Sequence, residues 1–336
     1  MSEDRIPRDR MLRSQLEQLG ISSILSTDIT DFEINKPQEY WTKSSSGWSK
    51  HVNDKLTLAN LDILKNAIAR YNKAILDTEH ATDSLRLPDG ERCQVVLPPI
   101  SHDGRIIFSI RKPSKDRFSL NDYARTGRLN PKQSSTSKDI EPYEKELLAL
   151  YEACEYEKFF SLAVEHKLNI VTVGGTGSGK TTFSKTLVDL YPATARMFIV
   201  EDTHELDTPL HDNSVHLLFS PQYPAKLVLS ACMRLNPDHI FLTEIRGDET
   251  WDYLMALKSG HSGSVTSVHA NDCRGALYKI GSYIKQAPIG RGLEMQFIMR
   301  EVETTIDIVI HFEKTFLKEV YFNPHKKLRL LRGENE

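Results

Sequence analysis

Residues Gly174–Thr181 read GGTGSGKT: four glycines within six residues, then a lysine and a hydroxyl. The run satisfies G-x-x-x-x-G-K-[ST], and each residue type has a task. Glycines reach backbone angles closed to other residues, so N–H groups can converge on one concavity. A helix starting near Lys180 would add its positive end, which favours an anion. Such a nest suits a polyphosphate. Gly174, Gly175, Thr176, Gly177, Ser178 and Gly179 would wrap it, and Lys180 would reach the β and γ phosphates. The Thr181 hydroxyl would ligate Mg²⁺, with Thr182 helping to cap the helix. ATP and Mg²⁺ are therefore the expected ligands. A glycine-rich strand-to-helix turn without a ligand is the plainer reading, but the β-branched run before the loop and the helical pattern after it supply the context the motif requires.

Binding is not hydrolysis, which also needs a group that orients water. In PDHIFLTEIRGDE an apolar run, residues 240–242, carries Glu244 at its C-terminal end, the end at which ligands sit in open α/β sheets. Glu244 is the candidate for polarising water; alone it would read as a solvated acid. RMFIVEDTHEL delivers Glu201, Asp202 and Glu205 in the same way. Glu201 and Glu205 are preferred over Asp202 for holding Mg²⁺ through its waters. In GHSGSVTSVHAND, His261 and His269 bracket a third such run. Two histidines without further ligands make weak zinc evidence. A strand end beside the other two would put His269 near the γ phosphate, where a neutral imidazole could distinguish ADP from ATP.

These residues must be held by strands. NIVTVGG, RMFIVED, HIFLTEI and SVTSVHA alternate with helical patterns, the order of an α/β domain around a mostly parallel sheet. Helical periodicity begins at residue 141 and runs to Lys167. The polar stretch LNPKQSSTSKD before it reads as a flexible linker. The expected organisation is a mixed α+β region at residues 1–128, a linker at 129–140 and a P-loop (RecA-like) ATPase domain at 141–336. In the first region, SLRLPDGERCQVVLPPI and GRIIFSIRKPS read as strands, with a turn at Pro88–Gly90. Leu58, Leu61, Leu64 and Ile68 mark one face of an amphipathic helix.

With 336 residues, about two domains are expected at roughly 100–200 residues each. A net charge of −3 argues against a dedicated nucleic-acid binder, so no sequence-specific nucleic-acid binding is expected. Cys93, Cys154, Cys232 and Cys273 lie far apart, without zinc or disulfide spacing. There is no apolar run long enough to span a membrane and no signal-peptide h-region near the N-terminus, so a cytoplasmic protein is expected. Leu12, Leu16 and Leu19 share a helical face with Arg5, Arg8, Arg10 and Arg13 nearby. Such a helix either docks on its own domain or lies on anionic lipid.

Taken in order, the loop at Gly174–Thr181, VEDTHEL, PDHIFLTEIRGDE and GHSGSVTSVHA resemble the Walker A, Asp, Walker B and His boxes of the secretion traffic ATPases of type II and type IV secretion and type IV pili. The resemblance is strongest to the VirB-operon branch of type IV secretion. It extends to DFEINKPQEYWTK, LPDGERCQVVLPPI and FSIRKPS in the first region. Thr243 and LNPDHI depart from the pattern, which usually has a small residue before the acid and an arginine-rich RPDRI. The tetracysteine module of the type II branch is absent from the sequence.

The resemblance implies an ATP-hydrolysing motor for substrate transfer, pilus assembly or both. It implies a homohexameric ring at the cytoplasmic side of an inner membrane, working with other secretion ATPases and inner-membrane components. It places Arg111 at a domain interface facing the phosphates, with Glu244, Glu201, Glu205 and His269 as the other catalytic candidates. A soluble P-loop kinase would need a substrate lid, and no segment reads as one. A nucleotide switch would not need Glu244.

Overall fold

A computed structural model of the chain describes residues 5–114, 117–130 and 139–334. The proposed linker falls largely on residues 131–138, outside the described residues.

The first region contains α1 (Arg5–Gln18), α2 (Ile21–Leu25), β1 (Asp31–Ile34), β2 (Glu39–Ser44), β3 (Gly47–Val52), α3 (Leu58–Asn72), β4 (Thr82–Arg86), β5 (Arg92–Val96), β6 (Ile107–Arg111) and α4 (Leu120–Arg125). Its strands form one antiparallel sheet in the order β3-β2-β1-β6-β5-β4. The turn at Pro88–Gly90 joins β4 to β5, with Gly90 at φ 97° and Leu87 N–H donating to Glu91 O at 2.9 Å.

The Thr57 side chain caps α3 by accepting from Asn60 N–H. That fixes the helix phase: Leu61, Leu64 and Ile68 are fully buried, whereas Leu58, in the first turn, is exposed. Leu12, Leu16 and Leu19 are buried too, in the same core, with α1 packed on α3. The apolar face that could have met lipid is therefore covered by the chain itself. Arg13 is tied down by Asp9 and by Asp89 of the turn.

The second region contains α5 (Pro142–Glu152), α6 (Tyr156–Glu165), β7 (Ile170–Val173), α7 (Lys180–Val188), β8 (Met197–Glu201), β9 (Ser214–Leu218), α8 (Ala225–Cys232), β10 (His239–Leu242), α9 (Glu249–Lys258), β11 (Val265–Val268), α10 (Cys273–Gln286), α11 (Met295–Thr305), β12 (Ile308–Glu313), β13 (Phe316–Phe322) and α12 (Pro324–Leu331). The helical pattern at 141–167 is two helices, not one. Cys154 takes φ 57°, and Glu155 N–H turns back to Leu150 O, which ends α5.

Strands β10-β8-β9 are parallel, and so are β11-β7-β12, with β13 antiparallel at the edge. Hydrogen bonds from Ser267 N–H to Thr243 O (3.1 Å) and from Ile245 N–H to Ser267 O (2.9 Å) stitch the two ladders together. The C-terminal ends of β8, β10, β11 and β7 therefore lie side by side.

The two regions share one core. A single apolar cluster runs from Leu12, Phe32 and Ile110 into Val171, Phe198 and Ile240. A buried polar knot crosses it. Arg196, fully buried, donates from Nη2 to Glu33 Oε2 (2.8 Å) and from Nη1 to Asn35 (2.9 Å) and Asn213 (2.8 Å). Its Nε donates to Leu235 O at 3.0 Å.

Candidate active site

Strand β7 is buried along its length and delivers the chain into the glycine loop. Gly174 takes φ 151°, and a Cβ there would lie 2.5 Å from the Phe312 carbonyl oxygen and closer still to Ser178 Oγ. No side chain fits. Gly177 (φ 72°) and Gly179 (φ 89°) occupy the left-handed region that glycine adopts without strain. Gly179 then starts α7, whose first residue is Lys180.

Lys180 is buried. Its Nζ donates to the carbonyls of Gly174 (2.8 Å) and Gly175 (2.9 Å) and lies 3.5 Å from His269 Nδ1. Burial lowers the Lys180 pKa, and the Glu244 carboxylate opposes that shift. Ser178 Oγ is buried with no hydrogen-bond partner. An ammonium resting on carbonyls of its own loop, an orphaned hydroxyl and a close-packed glycine cradle are the donor set a phosphate group would satisfy. Thr181 and Thr182, in the first turn of α7, are exposed at the mouth of the loop.

Glu244 follows β10, and His269 follows β11. Glu244 Oε1 lies 3.3 Å from His269 Nε2, and Oε2 accepts from Arg246 Nη2 at 2.8 Å. Arg246 also pairs through Nη1 with Asp202, just past β8. Its pKa is raised, chiefly by the hydrogen bond it donates to Glu244, against the effect of burial. A chain of contacts thus runs Lys180–His269–Glu244–Arg246–Asp202 across four neighbouring strand ends. His269 Nδ1 also lies 3.2 Å from the Gly174 carbonyl oxygen, so the ring bridges the glycine loop and Glu244, with the donor and acceptor roles of its two nitrogens set by the tautomer.

The three acids take different surroundings in this geometry. Asp202 joins the network through Arg246. Glu201 is buried and turned elsewhere: it accepts from His204 Nδ1 (2.8 Å) and from the N–H groups of Glu205 (3.1 Å) and Leu206 (3.2 Å). Burial pushes the Glu201 pKa up, but the adjacent His216 ring, the His204 imidazole and the two backbone amides outweigh it and hold it below the usual range. Glu205 is exposed and contributes its backbone to Glu201. His261 is set apart, its Nδ1 facing Pro237 O at 3.1 Å.

Arg111 ends β6, two-thirds exposed, 3.7 Å from Asp31. It lines a cleft of about 400 Å³ with Arg86, Arg92 and Arg234, a cleft that contains no P-loop residue. The structure does not bring it to Lys180. Arg246 is the residue the sequence reading missed. Its position two residues after Glu244, on an extended stretch where i and i+2 share a face, was the available signal.

Residues 61–310 match the family described as "Type II/IV secretion system protein", and the chain is 35% identical to the VirB11 protein of Brucella abortus biovar 1, over 92% of this chain and 89% of that one. The chain belongs to the type II/IV secretion system protein family. A second relative, VirB11 of Bartonella quintana, is 31% identical over 95% of both chains. The solved structure of the Brucella suis VirB11 ATPase from the type IV secretion system, in complex with sulphate, superposes with a TM-score of 0.93 at 35% identity, covering 98% of this chain and 99% of that one. The family match takes in every member of the Lys180–Asp202 network. Its mixed α/β fold is thus that of a traffic ATPase, and no described helix is long and apolar enough to cross a membrane.

Proposed function

We propose that this chain is an ATP-hydrolysing motor of a type IV secretion system, working in substrate transfer, pilus assembly or both. The observation that carries the reading is the contact chain from the P-loop lysine through His269 to Glu244, in a chain with VirB11 relatives along nearly its whole length. A kinase lid is not needed to explain any part of it.

Lys180, freed from the loop carbonyls, would bind the β and γ phosphates of ATP, and Ser178 Oγ and the loop amides would complete the cradle. Thr181 is the residue proposed to hold Mg²⁺, which neutralises phosphate charge when bound. Glu244, held by Arg246, is proposed to orient and polarise the attacking water. His269 touches both the phosphate-binding lysine and the water-activating acid, which suits it to report the state of the γ phosphate to Glu244. Glu201 and Glu205 are proposed as supports of this region through the segment that follows β8.

The proposed division is residues 1–128, 129–140 and 141–336, the last of these RecA-like. The proposed assembly is a homohexamer at the cytoplasmic side of an inner membrane, with other secretion ATPases and inner-membrane components as partners. Within one chain Arg111 is remote from the P-loop cluster, so its proposed role requires a neighbouring subunit to bring it there. The test is steady-state ATPase activity with light-scattering mass measurement. Lys180→Ala should retain the assembly and lose turnover. Wild-type hydrolysis in that variant would overturn the proposal.

A further inference from the structure

A second constellation lies beyond the P-loop. Glu201 ends β8, His216 sits on the neighbouring strand β9, and His204 lies three residues past Glu201. The segment after β5 brings in a third histidine. Ser101 bridges to Leu217 and Leu218 N–H donates to Ile100 O at 2.7 Å, so residues 100–102 run along the free edge of β9. That places the His102 ring 4.9 Å from His204 and 6.0 Å from His216, centre to centre, with His204 and His216 4.8 Å apart.

The polar atoms at the centre are poorly matched to one another. Thr208 Oγ1 donates its proton to Ser214 Oγ at 2.7 Å, so toward His216 Nε2, 3.1 Å away, it can only accept. With its proton on Nε2, toward Thr208, His216 presents a bare lone pair at Nδ1. That Nδ1 is buried without a hydrogen-bond partner and faces Glu201 Oε1 at 3.6 Å. Two acceptors are aimed at one another. His102 Nε2 is likewise buried and unpartnered. Something positive belongs between them.

We propose that Glu201, His204 and His216 form a binding site for a divalent transition-metal ion of the zinc class, with His102 at its edge. One ligand atom each from Glu201, His204 and His216 fall within 4.8 Å of one another. Tetrahedral zinc with bonds of about 2.0–2.1 Å needs ligand atoms about 3.3 Å apart. The separations from Glu201 Oε1, 2.8 Å to His204 Nδ1 and 3.6 Å to His216 Nδ1, bracket that value. Thr208 on the far nitrogen of His216 is the outer partner that fixes a metal-binding imidazole in the right tautomer. An open cleft of about 370 Å³ leads in from solvent past Lys36, Arg105, Glu39, Asp207 and Asp212. An ion there would cross-link β8, the segment that follows it, and β9.

The experiment is a Co²⁺ titration of the untagged full chain without nucleotide, in a Cys154→Ser background because Cys154 is the exposed thiol. One ion per chain should bind with the intense visible bands of four-coordinate Co²⁺, and one equivalent of Zn²⁺ should displace it. His216→Gln and Glu201→Gln should each weaken binding by about 10-fold or more, since ligands matter at least as much as the outer partners whose loss costs that much. His204→Gln, at a half-exposed ring, gives the same reading if either of those fails to fold. His80→Gln, remote and paired with Asp77, should bind as wild type. Absence of stoichiometric binding, a weak six-coordinate spectrum, or affinity unaffected by these histidines overturns the proposal. In that event the central positive charge is a proton.

Discussion

Arg196→Met tests the link between the two regions. The substitution keeps an apolar stem of similar length between Phe198 and Trp48, whose rings lie 5.0 and 5.4 Å from the guanidinium carbon. It removes donors to Glu33, Asn35, Asn213 and Leu235 O. Glu33 keeps only Ser109 Oγ, at 2.9 Å. Removing one partner of a buried pair costs about 3–5 kcal/mol. Burial, opposed by Arg196, already pushes Glu33 up to about 8, so the stranded acid takes a proton at neutral pH and the cost falls at the low end. For 336 residues, an unfolding entropy of roughly 2.1 cal/mol/K per residue gives about 0.7 kcal/mol per degree, and a loss of about 3–4 kcal/mol lowers Tm by about 5 °C. Circular dichroism melts measure this. Arg196→Met with Glu33→Leu should recover most of the loss, because a buried ion pair replaced by apolar groups is often neutral or stabilising. The acid also leaves a pH signature. A carboxyl with a raised folded pKa stabilises fully below its unfolded value of about 4.5, and the contribution is lost as pH rises through about 8. The double variant should lack that slope. A single variant melting with wild type, or a double variant no better than the single, refutes the reasoning.

Glu244→Gln should lower ATP turnover by about 10²–10⁴-fold, the range for a general base, while ATP affinity holds or rises because a negative charge near Lys180 is gone. Turnover and fluorescent-nucleotide binding falling together would make Glu244 a structural group. Arg111→Ala should reduce turnover only at protein concentrations where the chain assembles, and wild-type activity at every concentration would leave Arg111 a surface charge. Burial lowers the pKa of His239, whose Nδ1 lies 2.7 Å from Gly263 O, and of His261. Their contribution to stability is present above the unfolded value of about 6.5 and is lost as pH falls through the lower folded values, so Tm should drop on acidification and His239→Gln should flatten that limb. An unchanged acid slope in His239→Gln would show that other groups set it.

The P-loop was legible because its constraint is local: Gly174 has no room for a Cβ, Gly177 and Gly179 need positive φ, and a strand and a helix flank them in sequence. Glu244 and His269 were legible as strand ends, since β10 is a short, largely apolar run and β11 is rich in β-branched residues. Their meeting with Lys180 was not, because it depends on the order in which β8, β10, β11 and β7 pair. Asp202 was set aside for the same reason. Its partner Arg246 comes from another strand end, while Glu201, the better-looking acid on its strand, is bound by His204 and its own backbone. Strand β1 was hidden by its composition. Asp31 and Glu33 are buried with Phe32 and Ile34, so the polar and apolar alternation that marks a half-buried strand misreports it. The helix carrying Leu12 and Leu16 showed its apolar face, but not that α3 would cover it.

The buried knot bears on how a motor of this shape could move. Exposed pairs such as Lys50–Asp212 join the two regions at the rim, but buried and half-buried ones join them as well. Arg196–Glu33 is fully buried, Trp48 Nε1 donates to Asp238 at 3.0 Å, Tyr223 Oη donates to Thr78 O at 2.7 Å, and the segment at 100–102 extends the β9 edge. Relative domain motion is the default only where an interface is small and polar. Here a hinge that parted the sheets would break the buried Arg196–Glu33 contact and open a continuous apolar core as well. The Lys180–His269–Glu244–Arg246–Asp202 chain is different. It is partly exposed, held by side chains at strand ends, and Lys180 must leave its loop carbonyls for phosphate to bind. Nucleotide therefore acts most directly on the strand-end loops, and Arg111 faces outward from the same body. In the proposed hexamer, a stroke that keeps this knot intact would move whole subunits against one another, with the exposed arginine cleft and the strand-end loops as the surfaces to change partners.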